Sequence, residues 1–427
     1  MFRTSSITGS IPALLVLLLS LFVPGSPCCS MPLDDAISMA KDNLPSFKAA
    51  KIKLSSEEAL YDASLGPYFP SLDGATTQEK HDTNLGEYDL SAYDLSLSYT
   101  LFDGGRRHAN RNIARLNRDN SREEVTRSLL ELEFAVKSAF YAAMARKEIL
   151  EHRKVQLQDA EKDYEIAQGR NRFGVAKLSD VLQASVRFEQ ARFTLTRAEG
   201  ELKNAVADLN SLLGRPLESP YDLEGSLDFQ FTVPSIERLS ELTLKRPEIR
   251  QAENSVGISK YNKSLETSAF FPDVSAVASY SRQEGGLSSF SSDDDRSIGI
   301  RATWNIFELG KFYRRKSAQF DINVSRENLQ ESIRQVLLEL RKAYNDFITT
   351  SENIGVAQEQ LKQAEQNYSQ AFGEYRVGKG DILSLVQAES SLALVRVQYT
   401  TARLDLMLSK ALLERASGIQ KLESVAP

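Results

Sequence analysis

The sequence is duplicated, because the landmarks of residues 66–214 return in the same order in residues 268–418. The clearest recurrences are Leu101-Phe102-Asp103 as Ile306-Phe307-Glu308, and Gly174 as Gly378. Each copy combines a short alternating segment with a very long segment of helical periodicity, a combination that few soluble folds use. Whatever fold one copy adopts, the other should therefore repeat.

The alternating segments predict amphipathic β-strands, two in each copy, at about residues 71–103 and 273–307. Apolar and polar side chains alternate along them, which gives a strand one apolar and one polar face. On the apolar face we place Tyr93, Leu95, Leu97, Tyr99, Leu101, Ile298, Ile300, Ala302, Trp304 and Ile306. On the polar face we place Ser96, Ser98, Thr100, Arg301, Thr303 and Asn305. The hairpin tips are expected around residues 80–87 and 285–295.

Four long helices are predicted after the strands, at about residues 106–173, 177–213, 309–377 and 381–416. At about 1.5 Å per residue, the longest would approach about 100 Å, far beyond an ordinary globular helix. Apolar residues recur along them at spacings of three and four, which indicates coiled-coil packing. The prediction thus divides the chain into repeat 1 (31–214), a linker (215–234), repeat 2 (235–418) and a tail (419–427).

The N-terminus predicts a secretory signal peptide over residues 1–30. Arg3 precedes an apolar run from Ile11 to Val23, which is shorter than a membrane-spanning helix and is followed at once by turn-forming residues. Both cysteines of the chain, Cys28 and Cys29, lie at the end of this segment. The body of the protein therefore has no disulfide, and lipidation of one of these cysteines stays an open alternative.

Composition excludes several classes of function. The net charge is −6 with acidic and basic residues mixed along the helices, so nothing indicates a nucleic-acid partner. The chain has only three histidines, without metal-ligand spacing, and no nucleophile pair or phosphate-binding loop. We expect no enzyme, no cofactor and no metal site; the acidic run Asp293-Asp294-Asp295 is read as a solvated loop tip, with cation binding as the alternative.

Four amphipathic strands per chain would form a sheet with two open edges, which cannot remain unpaired in lipid. The chain must therefore oligomerise if its strands lie in a membrane, and three chains would supply about twelve strands around a wet lumen. Aromatic residues near the strand ends could form an interfacial belt. The alternative is a non-conducting periplasmic tether built from the same long helices, which would need no polar sheet face.

The order of these motifs resembles the TolC-like outer membrane efflux proteins over essentially the whole mature chain. The motifs are Tyr68-Phe69-Pro70, Leu101-Phe102-Asp103-Gly104-Gly105, Arg172-Phe173-Gly174 and Tyr375-Arg376-Val377-Gly378. The resemblance implies a mainly α fold with membrane β: a homotrimer with one twelve-stranded barrel in the outer membrane of a Gram-negative bacterium, continuous with a periplasmic α-helical tunnel. It also implies a passive channel that exports small molecules, metal ions or proteins. A periplasmic adaptor and an inner-membrane transporter of the RND or ABC type would be its partners.

The resemblance further implies a closed periplasmic mouth at the helix turns. Asp180 and Tyr375 would be linked partners across neighbouring helical hairpins, and the turns themselves would contact the adaptor through Gly174, Val175, Ala176, Gly378 and Gly380. The chain departs from the family pattern at Gly380, where members often carry arginine, and at Ser384 and Gln387, where members are acidic. Asp381 could supply a carboxylate ring instead, with Lys379 or Arg376 as partner, or it could simply cap its helix.

Overall fold

The computed structural model of the chain describes residues 30–84, 86–220, 222–227, 234–285 and 292–424. The predicted signal peptide, with Cys28 and Cys29, lies outside these residues except for Ser30. Within the described ranges, no helix combines the length and the apolar character that crossing a bilayer requires.

Repeat 1 contains two short helices, a strand hairpin and a long helical hairpin. Pro45 separates the short helices, because proline fits the first turn of a helix but not its interior. The elements are β1 (Ser30–Met31), α1 (Leu33–Asn43), α2 (Pro45–Ala63), β2 (Ser71–Thr83), β3 (Gly86–Phe102), α3 (Arg106–Arg172) and α4 (Leu178–Leu213).

Repeat 2 follows the same order. Its long helix has 68 residues, against 67 in α3, so the duplication extends to the length of the longest element. The elements are β4 (Asp222–Leu223) in the connection, then α5 (Ile236–Thr243), α6 (Pro247–Ser268), β5 (Asp273–Gly285), β6 (Ser292–Thr303), α7 (Leu309–Arg376) and α8 (Ile382–Ser417). All four long helices begin and end within a residue of the predicted positions.

The four long strands form one antiparallel sheet in the order β2-β3-β5-β6, so the two hairpins pair through β3 and β5. Residues opposite each other in such a ladder have side chains on the same face. Leu97 stands opposite Leu72 and Ala278, and Ala278 stands opposite Ile298. The predicted apolar face is thus continuous across all four strands.

The helices pack with a seven-residue repeat. In α8 the buried residues Leu385, Leu392, Leu406 and Leu413 lie at multiples of seven, as expected of a coiled-coil seam. In α4 the buried residues at this spacing are all small: Ala184, Ala191 and Ala198. Each buried leucine stabilises the hairpins by about 1.5–3 kcal/mol relative to an exposed one, and the alanines let the helix backbones approach closely.

Three predicted boundaries were wrong. The first hairpin tip is shorter than residues 80–87, because β2 and β3 stay paired up to Thr83 and Gly86. The acidic run at Asp293–Asp295 lies inside β6, paired with β5, rather than in a loop. The last strand ends at Thr303 instead of residue 307.

The strand ends early because side chains near the start of α7 donate hydrogen bonds to backbone carbonyls at the end of the strands. Lys311 is buried and its Nζ donates to the carbonyls of Asn305 and Ala269, at 2.7 and 2.6 Å. The indole of Trp304 donates to the Phe270 carbonyl at 3.2 Å. The chain therefore leaves the ladder at this point, although the alternation of apolar and polar residues continues.

The sheet joins α3 through the motif Asp103-Gly104-Gly105. The Asp103 carboxylate accepts from the backbone N–H groups of Gly105 and Arg107, at 3.0 and 2.8 Å. Gly104 has a φ of 66° and lies so close to the backbone that an added Cβ would sit 2.7 Å from the Ser268 carbonyl oxygen. Asp103 thus satisfies the first N–H groups of a helix, and Gly104 allows the two copies to meet.

The C-terminal tail and the linker both pack against the helices. In the tail, Leu422 is fully buried, and the Lys137 ammonium donates to the Gln420 carbonyl and the Glu414 carboxylate, both at 2.6 Å. In the linker, β4 pairs in parallel with β1. The described part of the predicted linker is therefore partly ordered.

Candidate functional site

The two turns between the long helices have the same backbone geometry. Gly174 and Gly378 adopt φ values of 73° and 80°, the left-handed conformation that favours glycine. The N–H of Val175 bonds the Arg170 carbonyl at 2.9 Å, and the N–H of Lys379 bonds the Glu374 carbonyl at 2.9 Å. Both glycines therefore close their helix through a Schellman-type turn, which agrees with a structural role for them.

The surface of these turns is apolar and exposed. Phe173 is 85% exposed, and Val175 and Val377 are each 64% exposed. Ala176 is half-buried and its carbonyl accepts from the Asn171 amide at 2.9 Å. Gly380 lies close to the preceding helix, because an added Cβ would sit 3.1 Å from the backbone nitrogen of Tyr375. The five predicted turn residues thus lie at one end of the helical hairpins, beside exposed apolar side chains.

The two acidic gate candidates both bond to a helix N-terminus. Asp381 caps α8, where its carboxylate accepts from the Ser384 N–H at 2.7 Å, and this bond lowers the pKa of Asp381. The predicted capping role is confirmed. In the described part of a single chain, neither Lys379 nor Arg376 pairs with this carboxylate. Asp180 accepts from the Lys177 N–H at 3.3 Å and from the Ser179 hydroxyl at 3.2 Å.

Tyr375 is the most buried of the gate candidates, at 2% exposed. Its hydroxyl has no hydrogen-bond partner among the described residues, so within one chain no hydrogen bond joins it to Asp180. Burial raises the pKa of Tyr375, and the nearby Asp180 charge raises it further. The two residues are therefore close enough to interact electrostatically without a hydrogen bond.

Arg170, rather than Asp180, is the residue that contacts Tyr375 from the other helical hairpin. Its guanidinium lies 4.5 Å from the centre of the Tyr375 ring and donates to the Tyr375 carbonyl at 2.5 Å. This contact joins the end of α3 to the end of α7, one from each helical hairpin. The sequence analysis did not identify this contact. The only sequence signal for it was a basic residue, Arg170, four positions before the turn glycine.

Above this contact, the two hairpins meet along a polar seam, which we define by Glu148, Asp163, Arg187, Glu389 and Arg403. Arg403 of α8 donates to both carboxylate oxygens of Glu148 of α3, at 2.7 and 2.9 Å. Arg187 of α4 donates to Glu389 of α8 at 2.9 Å. Charged contacts therefore cross the boundary between the hairpins along this stretch, next to the apolar cluster of Ala167, Ala184, Tyr375 and Leu385.

At the opposite end of the chain, the sheet places the predicted polar residues on one face. Ser96 stands opposite Ser279, and Ser279 bonds Ser297 through their hydroxyls at 2.7 Å. In another row, Thr100 stands opposite Ser275, which stands opposite Arg301.

Of the remaining candidates for the polar face, two lie in strands and one lies beyond the end of β6. Thr303 pairs with Asp273, and Ser98 pairs with Val277 and Ser71. Asn305 lies beyond β6, where its amide donates to Glu308 at 3.1 Å, so it is not a strand residue. Leu101 was placed on the apolar face, but it is the extra residue of a bulge between Thr100 and Phe102.

No group of three or more His, Cys, Asp or Glu side chains among the described residues is arranged to hold a metal ion. The features that the structure does bring together are a two-faced sheet, four long helices and a pair of closed helix turns joined by Arg170 and Tyr375.

Comparison with known proteins gives one consistent result. A family described as outer membrane efflux protein matches residues 36–215 and 239–419, one segment in each repeat. The probable efflux pump outer membrane protein TtgC of Pseudomonas putida is 26% identical over 416 residues, covering 90% of this chain and 82% of TtgC. The pyoverdine export outer membrane protein OpmQ of Pseudomonas aeruginosa is 23% identical over 401 residues, covering 87% and 82%.

Among solved structures, the channel protein CusC has a TM-score of 0.80 at 20% sequence identity, covering 91% of this chain and 92% of CusC. At this level of identity the likeness establishes the fold. The helical hairpins and the four-stranded sheet are therefore the architecture of known outer-membrane channels.

Proposed function

The chain belongs to the outer membrane efflux protein family, and from that premise we propose that three copies of it assemble into one export duct. The family is one of passive channels in the outer membrane of Gram-negative bacteria. In this proposal the sheets of three chains close around a shared lumen in that membrane, and the long helices continue the lumen through the periplasm.

The observation that supports the trimer is the sheet. It has four strands, and β2 and β6 lie at its edges. Open edges are not tolerated in lipid, so each edge must pair with a neighbouring chain. Three chains give about twelve strands, enough to enclose a water-filled lumen. The polar rows would line the lumen with Ser96, Ser98, Thr100, Arg301 and Thr303, while the apolar rows would face lipid.

At the periplasmic end we propose that Tyr375 and Arg170 hold the two hairpins of each chain together and that Asp180 supports this closure. Asp381, with Lys379 and Arg376 beside it, would bring three carboxylates around the threefold axis in the trimer. We propose that the resting duct is closed, because an open one would let solutes leak across the outer membrane.

The exposed apolar turns at Gly174–Ala176 and Gly378–Gly380 are the surface that we assign to a periplasmic adaptor. An inner-membrane transporter of the RND or ABC type would supply energy through that adaptor. We assign cargo selection to these partners, because the proposed lumen face of the sheet carries mainly small hydroxyl side chains, Ser96, Ser98, Thr100 and Thr303, with Arg301 among them.

Cross-linking of the sheet edges tests the trimer directly. The predicted mature body has no cysteine, so paired cysteines can report one contact. Thr76 in β2 and Arg296, Ile298 and Ile300 in β6 share the apolar face. We would combine Thr76→Cys with cysteine at each β6 position in turn.

One combination should give a covalent trimer on oxidation, and native mass spectrometry should give three chains per particle. Thr76→Cys alone should stay monomeric in a denaturing gel, which controls for random oxidation. A soluble dimer with no edge cross-link from any pair would reject the trimer and favour a non-conducting periplasmic tether.

A further inference from the structure

Two carboxyl side chains are buried in the polar seam between the hairpins, close to the Arg170–Tyr375 contact. Asp163 of α3 and Glu389 of α8 are each only 3% exposed. Among the described residues, neither oxygen of Asp163 has a hydrogen-bond partner, and one oxygen of Glu389 also lacks one. Buried carboxylates without partners are costly, so this arrangement requires an explanation.

The positive and negative charges of this cluster do not balance. Arg187 of α4 donates to Glu389 at 2.9 Å and can balance one negative charge. Lys162, beside Asp163 on α3, is 64% exposed and points largely to solvent. Asp159 of α3 adds a further negative charge to the cluster. With two buried carboxyls and one half-buried cation among the described residues, the cluster is short of one positive charge.

The other groups near the cluster in the described part of the chain do not supply that charge. Gln156 of α3, a neutral amide, hydrogen-bonds to Glu389, and Arg153 donates to the Gln156 oxygen rather than to either carboxyl. Tyr368 of α7 is half-buried beside Asp163 and its pKa is raised, chiefly by burial and then by the Asp163 charge. Arg396 of α8 acts on Tyr368, and it is not among the groups that shift Asp163 or Glu389. A neutral tyrosine cannot balance a carboxylate.

We propose that Asp163 and Glu389 form a binding site for one proton at the boundary between the two helical hairpins, and that loss of this proton loosens the boundary and favours opening of the duct. The proton makes one of the two carboxyls neutral and gives it a hydrogen to donate. The coupling to opening rests on the proposed function, whereas the proton binding does not.

The direction of the pH effect follows from the buried environment. Burial, and then the Glu389 charge, raise the pKa of Asp163 from 3.8 to about 7. Burial also raises the pKa of Glu389, against the opposing effect of Arg187. The bound proton therefore stabilises the seam fully below the pKa of an unfolded aspartate, and this stabilisation is lost as the pH rises through about 7.

Infrared spectroscopy of the purified protein tests the proton directly. The carbonyl stretch of a protonated carboxylic acid should persist at about pH 5–6, above the ordinary pKa of a carboxyl, and should disappear with a midpoint near 7. Asp163→Asn should abolish this band. Glu165→Gln, an exposed acid on the same helix, should leave the band and its midpoint unchanged. Carboxylates that stay ionised down to about pH 5, close to the ordinary pKa of a carboxyl, would overturn the proposal.

Conductance in planar bilayers tests the coupling. The open probability of the unmodified protein should rise severalfold as the periplasmic side is taken from about pH 6 to about pH 8, across the range where a buried carboxyl near 7 titrates. Asp163→Asn should remain closed across that range, because it keeps the neutral form, while Glu165→Gln should follow the unmodified protein.

The two measurements fail separately. A titrating infrared band with a conductance that does not change with pH would overturn the coupling alone. A protein that never conducts but retains the infrared titration would contradict the proposed duct and leave the proton site standing.

Discussion

At the scale of single residues, the proposed closure of the periplasmic end depends on an arginine that the sequence did not single out. Arg170 stacks on Tyr375 and bonds its carbonyl, so one side chain joins two helical hairpins. Cation–π contacts of this kind contribute about 1–2 kcal/mol when desolvated. The family resemblance pointed to Tyr375 as a gate residue, but only the fold shows which side chain contacts it.

We predict that Arg170→Ala raises single-channel conductance, because it removes the link between the ends of α3 and α7. Asp180→Ala should act in the same direction with a smaller effect, since its charge influences Tyr375 without bonding it. Arg172→Ala is the matched control: the side chain is exposed and lies two residues further along. Equal conductance of the Arg170→Ala and control variants would remove Arg170 from the gate.

A second prediction concerns Asp103, which satisfies the first N–H groups of α3. Asp103→Ala leaves these partly buried groups without a partner and should destabilise the junction by about 1–3 kcal/mol. Heat-induced dissociation of the assembled protein in detergent should show a lower midpoint. Asp103→Asn retains an acceptor oxygen and should lose less; an unchanged midpoint for both variants would contradict the capping role.

At the scale of elements, the helices were predictable and the strand ends were not. Proline, glycine and the three- and four-residue spacing of apolar residues are local signals, and they gave the bounds of α3, α4, α7 and α8 within a residue. The end of β6 at Thr303 is set by Lys311 reaching back to the Asn305 carbonyl. The bulge at Leu101 likewise depends on the partner strand. Such contacts are not visible in an alternating pattern.

The two faces of the sheet give a prediction with a built-in control. Leu97 lies on the apolar face and Ser98, its neighbour, on the polar face. Leu97→Arg should impair assembly at a cost of about 2–4 kcal/mol if the position lies at mid-bilayer depth. Ser98→Arg should be tolerated, because its side chain would point into water. Heat-modifiable trimer bands measure the outcome, and equal assembly of both variants would show that the faces are assigned the wrong way round.

At the scale of the whole molecule, the duplication made the architecture predictable from the sequence. It did not predict how the two repeats pack against each other. Asp163 and Glu389 lie far apart in the chain and become neighbours only when α3 packs beside α8. Each stands among helical positions that a sequence pattern treats as an ordinary charged surface. The polar seam between the hairpins is therefore a property of how the two repeats pack, and it is where we expect movement during export.

The central claim is that the chain forms a conducting trimer that is closed at its periplasmic end. Single-channel recording of the purified protein in a planar bilayer, with native mass measured on the same preparation, tests it most directly. We expect a mass of three chains, small discrete current steps, and larger steps for Arg170→Ala. A trimer that remains silent in both forms, or a dimer without current, would contradict the account.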